Sequence, residues 1–482
     1  MLTPMPHQET GSKWLAEREA GLLHWDMGTG KTLAAINALD RGYEIGEACD
    51  RHILILCPAV ARRNWQREIL VNQKIKRPVV VVESGLEKDR ENLRKILNEG
   101  HSAVDVLFDE AAPVIIVSYD LMARRKVWDV LAGKCYDALI LDELQYCKNW
   151  KTQRTRAVFG HSTYDKSGLV GRAHRVWALS GTPAPNNIAE LHPWISRAAP
   201  RAITVQGSDR PQSYQRFVSR YCKTMQTPFG VKITGHSKEA TDLAIALQPT
   251  TNRVQKEKVL HDLPPVRFHD LVVPGSGGAD KVRAFEEENA TELNAIHGVL
   301  EAGQSPLMSD SISTLRRMTE VAKIKDCIDL VSGELRDGDM KKVVIFTNHI
   351  EAIELITEGL EGFGAVQLRG ATSPEKRQQA IDDFNNDPKT KVFVGQTLAA
   401  GTAITLHASG DCQDVIFVGC DWGPANNAQA AARVHRKGQT NSVLVRFLVI
   451  PNSIDERITQ TLIRKSQRLN EFFNEKENHH AA

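Results

Sequence analysis

The sequence predicts an α/β protein in which two doubly wound parallel-sheet domains flank a mainly helical insertion. Three observations carry that expectation. Two blocks of short apolar runs alternate with helix-compatible segments, a charge-rich stretch separates the blocks, and a glycine-rich loop joins a strand to a helix near the N-terminus. Apolar runs without alternation mark strands covered on both faces, which parallel sheets require.

Gly21-Leu22-Leu23 opens the first block as a short strand and leads into Trp25-Asp26-Met27-Gly28-Thr29-Gly30-Lys31-Thr32. Leu33-Ala34-Ala35-Ile36 then continues as a helix. Strand, glycine-rich loop and helix form the context of a phosphate-binding loop. Its backbone N–H groups turn inward around phosphates, Lys31 reaches the β- and γ-phosphates, and the Thr32 hydroxyl takes a place on Mg²⁺. One position departs from that pattern, because Trp25 stands where the loop ordinarily begins with Gly.

Further strands are expected at His52–Cys57, Pro78–Val82, Val114–Val117, Ala138–Leu141 and Val176–Leu179. The rhythm stops near Pro200. Up to Asp339 the chain is richer in charge and helical periodicity, and is broken by Pro264-Pro265 and by Pro274–Gly278. The β/α rhythm resumes at Lys342–Thr347 and continues through Ala365–Leu368, Lys391–Val394, Asp414–Val418 and Val443–Leu448. Ser453–Glu477 reads as a long helix with a polar face. The expected domains are therefore 1–200, 201–338 and 339–482, and only the first carries a phosphate loop.

A length of 482 residues exceeds what one hydrophobic core organises. The 41% hydrophobic and 25% charged content is ordinary for a globular enzyme. No apolar run approaches the roughly 20 residues that cross a bilayer, and Met1–Pro6 lacks a basic segment followed by an apolar one. A cytoplasmic protein without membrane contact is expected, associated with the nucleoid if the source is bacterial or phage. Eight scattered cysteines without a C-x-x-C pair favour reduced thiols over zinc or disulfides. With a net charge of +2, any polyanion contact must come from local patches. Arg51–Arg77, with Arg62 and Arg63, and Lys148–Arg175, with Lys151 and Arg154, are the two basic segments beside the nucleotide motifs.

The strand ending in Leu141-Asp142-Glu143 delivers two carboxylates to one strand end. Such a pair places Asp142 in the Mg²⁺ shell and Glu143 where it polarises an attacking water. Leu179-Ser180-Gly181-Thr182-Pro183 ends another strand in small hydroxyl residues that hydrogen-bond the acidic pair. In the second block, Arg433 and Arg436 lie three apart and on a helix would share one face. A phosphate loop in one domain and paired arginines in another imply a composite site. An arginine closing on a γ-phosphate contributes about 10³–10⁵ in rate.

These motifs in this order resemble the Swi/Snf type of superfamily-two helicase-like ATPases. Pro6-His7-Gln8 with Gly11 and Trp14-Leu15 is similar to the leading glutamine motif, and implies that Gln8 reads adenine. Asp26–Thr32 resembles the first motif, with Met27, Gly28, Thr29, Gly30, Lys31 and Thr32 at the nucleotide. Leu56-Cys57-Pro58 through Glu68 resembles a DNA-facing segment. Asp142-Glu143-Leu144-Gln145 departs by Gln145 where the family has His, and Ser180–Asn187 resembles the third motif. Asp421-Trp422-Gly423-Pro424 and Gln429–Gln439 resemble the last motifs, and imply that Gln429, Arg433 and Arg436 serve the nucleotide and that Trp422 lies near the DNA groove.

Thr405 in place of an Asn, with Arg220-Tyr221-Cys222 and Thr227–Gly230, resembles the annealing-helicase branch. The resemblance implies two RecA-like lobes, ATP and Mg²⁺ in a cleft between them, and movement along double-stranded or branched DNA as a monomer. A strand-separating DNA or RNA helicase, or a non-hydrolysing ATP-dependent clamp or scaffold, are the competing expectations.

Overall fold

The computed structural model describes residues 2–44, 52–98, 112–205, 210–227, 230–291, 293, 310–400, 404–421, 423–436 and 438–459. The chain divides into two compact units between Val259 and Leu260.

The first unit is built on a seven-stranded sheet. Its strands are β1 (Ala20–Trp25), β2 (Ile53–Cys57), β3 (Val79–Val81), β4 (Val114–Ser118), β5 (Tyr136–Asp142), β6 (Ala173–Ser180) and β9 (Thr251–Val254). The spatial order is β3-β4-β2-β5-β6-β1-β9, and every pairing is parallel. Every residue of β2 and β4 is buried, as their continuous apolar sequence requires. Helices cover both faces, and Trp128, Phe159, Trp194 and Phe217 join the strand residues in one core.

The second unit carries a six-stranded parallel sheet. It contains β10 (Val266–Val272), β11 (Lys342–Thr347), β12 (Ala365–Leu368), β13 (Val392–Gln396), β14 (Cys412–Phe417) and β15 (Val443–Val449), ordered β10-β15-β14-β11-β13-β12. The helix Asp310–Asp337 contributes Ile312, Leu315, Cys327 and Val331 to a core against β11 and β13. On the other side of the sheet Phe346, Phe384, Phe393 and Phe417 pack together.

The two parallel sheets are those the apolar runs predict. The stretch 201–338 is mainly helical, with Tyr214–Tyr221, Ala240–Ala246, Ala279–Glu288 and Asp310–Asp337 as its longer described helices, but it is not helix alone. It contains the antiparallel hairpin β7 (Cys222–Thr227) and β8 (Gly230–His236), the edge strand β9 of the first sheet and the edge strand β10 of the second. Neither edge strand is a continuous apolar run: Thr251-Asn252-Arg253-Val254 has one apolar residue and is half-buried, and in β10 the apolar Val266, Phe268, Leu271 and Val272 are interrupted by Arg267 and His269-Asp270 and most of the strand is exposed. An edge strand is paired on one side only, so it needs no continuous apolar run and leaves little periodic signal. Residues 454–459 are helical, and the rest of the expected C-terminal helix, 460–477, lies outside the described residues.

Candidate active site

In the first unit the motif residues gather at the carboxyl ends of the strands, where open parallel sheets hold ligands. The loop after β1 turns through Gly28 (φ 82°) and Gly30 (φ 83°), then enters the helix Lys31–Glu44. A side chain at position 30 would collide with the Gln8 carboxamide as well as strain the backbone. Gln8 Nε2 donates to Thr29 O at 3.0 Å, His7 Nε2 stands 2.8 Å from the same oxygen, and Gln8 Oε1 accepts from Met5 N at 2.9 Å. The helix Pro6–Ala16 is thereby fastened to the loop, with Gln8 buried at the joint. The Thr29 hydroxyl donates to Asp26 O at 2.7 Å and closes the turn.

Lys31 Nζ donates to Trp25 O at 2.9 Å and Asp26 O at 3.3 Å. These carbonyls hold the ammonium against the start of the loop. Trp25, the departure from the loop pattern, is fully buried. Its indole N–H donates to Asn252 Oδ1 at 2.7 Å, His7 stacks edge-on against it at 5.4 Å, and Gly11 leaves it the room. A large side chain here replaces loop flexibility with a bolt between three segments. Asp26 is held in the same way: Arg253 Nη1 donates to its Oδ1 at 2.5 Å and Lys256 N to its Oδ2 at 2.9 Å. Asn252, Arg253 and Lys256 were not foreseen from the sequence, because nothing in a polar tetrapeptide announces that it pairs with a strand more than 220 residues earlier.

Asp142 and Glu143 close β5. Asp142 Oδ2 accepts from the Trp65 indole at 2.8 Å, and the Tyr119 hydroxyl donates to Asp142 O at 2.8 Å. Desolvation, reinforced by the neighbouring Glu143 charge, pushes the Asp142 carboxyl up to about 7, against the opposing pull of Trp65 and Lys31. Asp142 and Glu143 at this strand end and the Thr32 hydroxyl in the first turn of the helix after the loop are oxygen donors, the kind that a hard cation such as Mg²⁺ takes. Glu143 adopts the left-handed conformation (φ 56°, ψ 63°), a strain of about 1–3 kcal/mol that functional sites commonly retain.

From Glu143 a chain of hydrogen bonds runs to β6. Gln145 Nε2 donates to Glu143 Oε2 at 2.7 Å, Ser180 Oγ donates to Gln145 Oε1 at 2.7 Å, and Thr182 N donates to Ser180 Oγ at 3.0 Å. The carboxylate thus meets the hydroxyl motif through Gln145, whose amide both donates and accepts as this geometry demands.

The expected DNA contacts are mixed. Arg62 donates to the carbonyls of Ala59, Val82 and Glu83, and both Arg62 and Arg63 pair with the Glu83 carboxylate. Arg62 therefore ties down the chain after β3 as well as carrying charge. Arg154 pairs with Asp120 at 3.3 Å and lies over the Tyr146 ring, while Lys151 is exposed. Trp422 lies outside the described residues.

In the second unit the helix Pro424–Ala431 ends before the two arginines, so Arg433 and Arg436 sit in the turns that follow it and not on one helical face. The turn is set by Arg433 N donating to Ala430 O and His435 N to Ala431 O. Gln429 and Arg433 are buried. Arg436 Nη1 donates to Ile404 O at 2.8 Å and Thr405 Oγ1 at 2.7 Å. Thr405 is the residue that departs from the usual Asn, and it receives this arginine directly.

Comparison with known proteins agrees with this geometry. Residues 7–306 match the SNF2-related domain, and residues 322–438 match the helicase conserved C-terminal domain. The chain is 28% identical over 459 residues to the SWI/SNF-related matrix-associated actin-dependent regulator of chromatin subfamily A-like protein 1 of Xenopus tropicalis, covering 94% of this chain and 43% of that protein. It is 25% identical over 474 residues to the human DNA annealing helicase and endonuclease ZRANB3, covering 96% and 40%. The chain thus spans less than half the length of either relative. Among solved structures, the Sulfolobus solfataricus SWI2/SNF2 ATPase core in complex with dsDNA matches with a TM-score of 0.43 and 21% identity over 98% of this chain and 92% of that one. Two parallel-sheet units, a phosphate loop braced by a glutamine helix, an acidic pair relayed to a hydroxyl motif, and a family match over more than half the residues give one result: the chain belongs to the SNF2-related family of helicase-like, DNA-dependent ATPases.

Proposed function

We propose that this chain hydrolyses ATP to move along double-stranded DNA. The observation that carries the reading is the chain of hydrogen bonds from Glu143 through Gln145 to Ser180 and Thr182, which ties the hydrolytic carboxylate to a second strand end of the same sheet. Gln8 and the loop residues Met27–Thr32 bind the nucleotide, Lys31 takes the β- and γ-phosphates, and Glu143 orients the attacking water. Thr32 and Asp142 would hold Mg²⁺, which would supply positive charge against the phosphates. Gln429, Arg433 and Arg436 complete the site from the second unit when nucleotide draws the units together, so that hydrolysis reverses the closure and each cycle shifts the DNA-contacting surfaces.

Arg63, Lys151 and Arg154, together with Arg62 and Trp422, serve the DNA backbone. Phosphate contacts of this kind give strong salt dependence and little sequence preference. The relatives' printed names, a chromatin regulator and a DNA annealing helicase, support DNA as the track.

The test is the ATPase rate without DNA and with single-stranded, linear double-stranded or forked DNA, with Lys31→Ala as the control that binds DNA and does not turn over. Stimulation by duplex, with displacement of a triplex strand and no unwinding, is the expected result. Unwinding without triplex displacement would favour the strand-separating helicase instead, and no stimulation by any DNA would defeat the motor reading.

A further inference from the structure

The helix Tyr214–Tyr221 and the hairpin β7–β8 stand apart from the ATPase motifs and carry charge of one sign. From Arg210 to Lys238 the sequence holds Arg210, Arg216, Arg220, Lys223, Lys232 and Lys238 and no Asp or Glu, in a chain whose net charge is only +2. Arg216 and Arg220 are one helical turn apart and share a face. Both are exposed, as are Lys223 and Lys238. None of these four forms a salt bridge among the described residues, whereas Arg62, Arg63, Arg125, Arg154 and Arg172 of the same unit all do. Arg220 and Lys238 lie within electrostatic reach of Glu239, which follows the stretch, yet exposed cations that form no salt bridge attract a polyanion without first breaking one.

The opposite side of this element is anchored. Phe217 and Tyr221 are buried in the core of the first unit, and Ile233 of β8 packs against it. His192 joins the element to the Lys151 segment: the Trp150 indole donates to His192 Nδ1 at 2.8 Å, and His192 Nε2 donates to Gln212 O at 2.9 Å. Its ring also stacks edge-on against Tyr214 at 5.5 Å and Phe217 at 5.2 Å. Burial lowers the His192 pKa, which keeps the ring in the neutral form that accepts at one nitrogen and donates at the other. The basic helix and hairpin are therefore fixed to the same framework as the Lys151 segment.

We propose that Arg216, Arg220, Lys223 and Lys238 form an auxiliary DNA-binding surface that holds the phosphodiester backbone of duplex DNA. This rests on the reading of the chain as a DNA motor and adds a binding surface to the residues already assigned to DNA. Its recognition is of phosphate charge, so it is indifferent to sequence.

The experiment measures binding of the full chain to a labelled linear duplex by fluorescence anisotropy over a salt series. Every phosphate that the protein no longer neutralises lowers the slope of log K against log salt by about 0.9. The triple variant Arg216→Gln/Arg220→Gln/Lys223→Gln is expected to lower it by up to ~2.7. The charge-preserving triple, Arg216→Lys/Arg220→Lys/Lys223→Arg, is expected to keep the wild-type slope, and both triples to keep the wild-type ATPase rate measured without DNA. A wild-type slope in the glutamine triple overturns the proposal, and so does an equal loss in both triples, which would report damage to the fold. Because binding is read separately from turnover, a wild-type chain that binds duplex yet shows no DNA stimulation would defeat the motor reading while the slopes still judge this surface.

Discussion

Replacing Gln145 by Ala tests whether the relay orients the hydrolytic carboxylate. The substitution removes two hydrogen bonds of 2.7 Å, one to Glu143 Oε2 and one from Ser180 Oγ. The two bonds differ in what their removal does. Glu143 is half-buried, so water replaces part of what Gln145 gave, and what goes is mainly orientation. A hydrogen bond to a charged group contributes about 1.5–3 kcal/mol. With partial replacement by water, about 1.4 kcal/mol of transition-state stabilisation is removed, roughly tenfold in kcat.

Ser180 is fully buried. Leaving its hydroxyl without an acceptor costs about 1–3 kcal/mol of stability, read as a lower melting temperature. Gln145→His, which keeps one donor and one acceptor, should retain most of the rate. The assay is steady-state ATP turnover with saturating duplex, alongside nucleotide affinity from a fluorescent analogue. Wild-type kcat in Gln145→Ala, or a defect confined to nucleotide affinity, would refute the relay.

Arg436→Ala should lower DNA-stimulated turnover by about 10³-fold or more while nucleotide still binds the first unit; an unaltered rate would remove the second unit from catalysis. Trp25→Ala empties a fully buried site and forfeits the bond to Asn252. A stability loss of about 3–5 kcal/mol is expected in denaturant unfolding, and one below about 1 kcal/mol would mean the indole is not a bolt. Glu320 is buried in the second unit, where burial alone would raise its pKa, yet His349, Thr347 and Asn348 hold it down to about 2 from 4.5. Its folded pKa lies below the unfolded one, so its stabilisation is present above about pH 4.5 and is lost as pH falls toward 2. Acid unfolding curves of wild type and Glu320→Gln should therefore converge across that interval, and parallel curves would contradict the assignment.

Both parallel sheets were legible because buried strands such as Ile53–Cys57 and Val114–Ser118 must be apolar throughout. The nucleotide loop was legible because Gly28, Gly30, Lys31 and Thr32 are each required by local chemistry at a fixed spacing. Less legible was whatever depends on distant pairing. Trp65 lies in a segment that reads as DNA-facing, yet its indole holds Asp142. Arg62 reads as a phosphate contact and is engaged with the carbonyls of its own unit. The spacing of Arg433 and Arg436 suggested a helix, whereas the helix stops at Ala431. Spacing fixes a face only when the backbone continues, and an alanine-rich run carries no signal for where it ends.

Strand β9 has a consequence for the order in which this protein becomes functional. Arg253 and Lys256 hold Asp26, and Asn252 holds Trp25, so the brace of the phosphate loop is encoded more than 220 residues after the loop itself. During synthesis, a nascent chain that has emerged only to residue 200 has its loop, its acidic pair and its hydroxyl motif, but lacks the strand that closes the sheet beside β1. Competence to grip nucleotide therefore arrives late, when the ribosome has delivered the segment that leads directly into the second unit. The loop cannot be fully set on a chain that has yet to begin its second half.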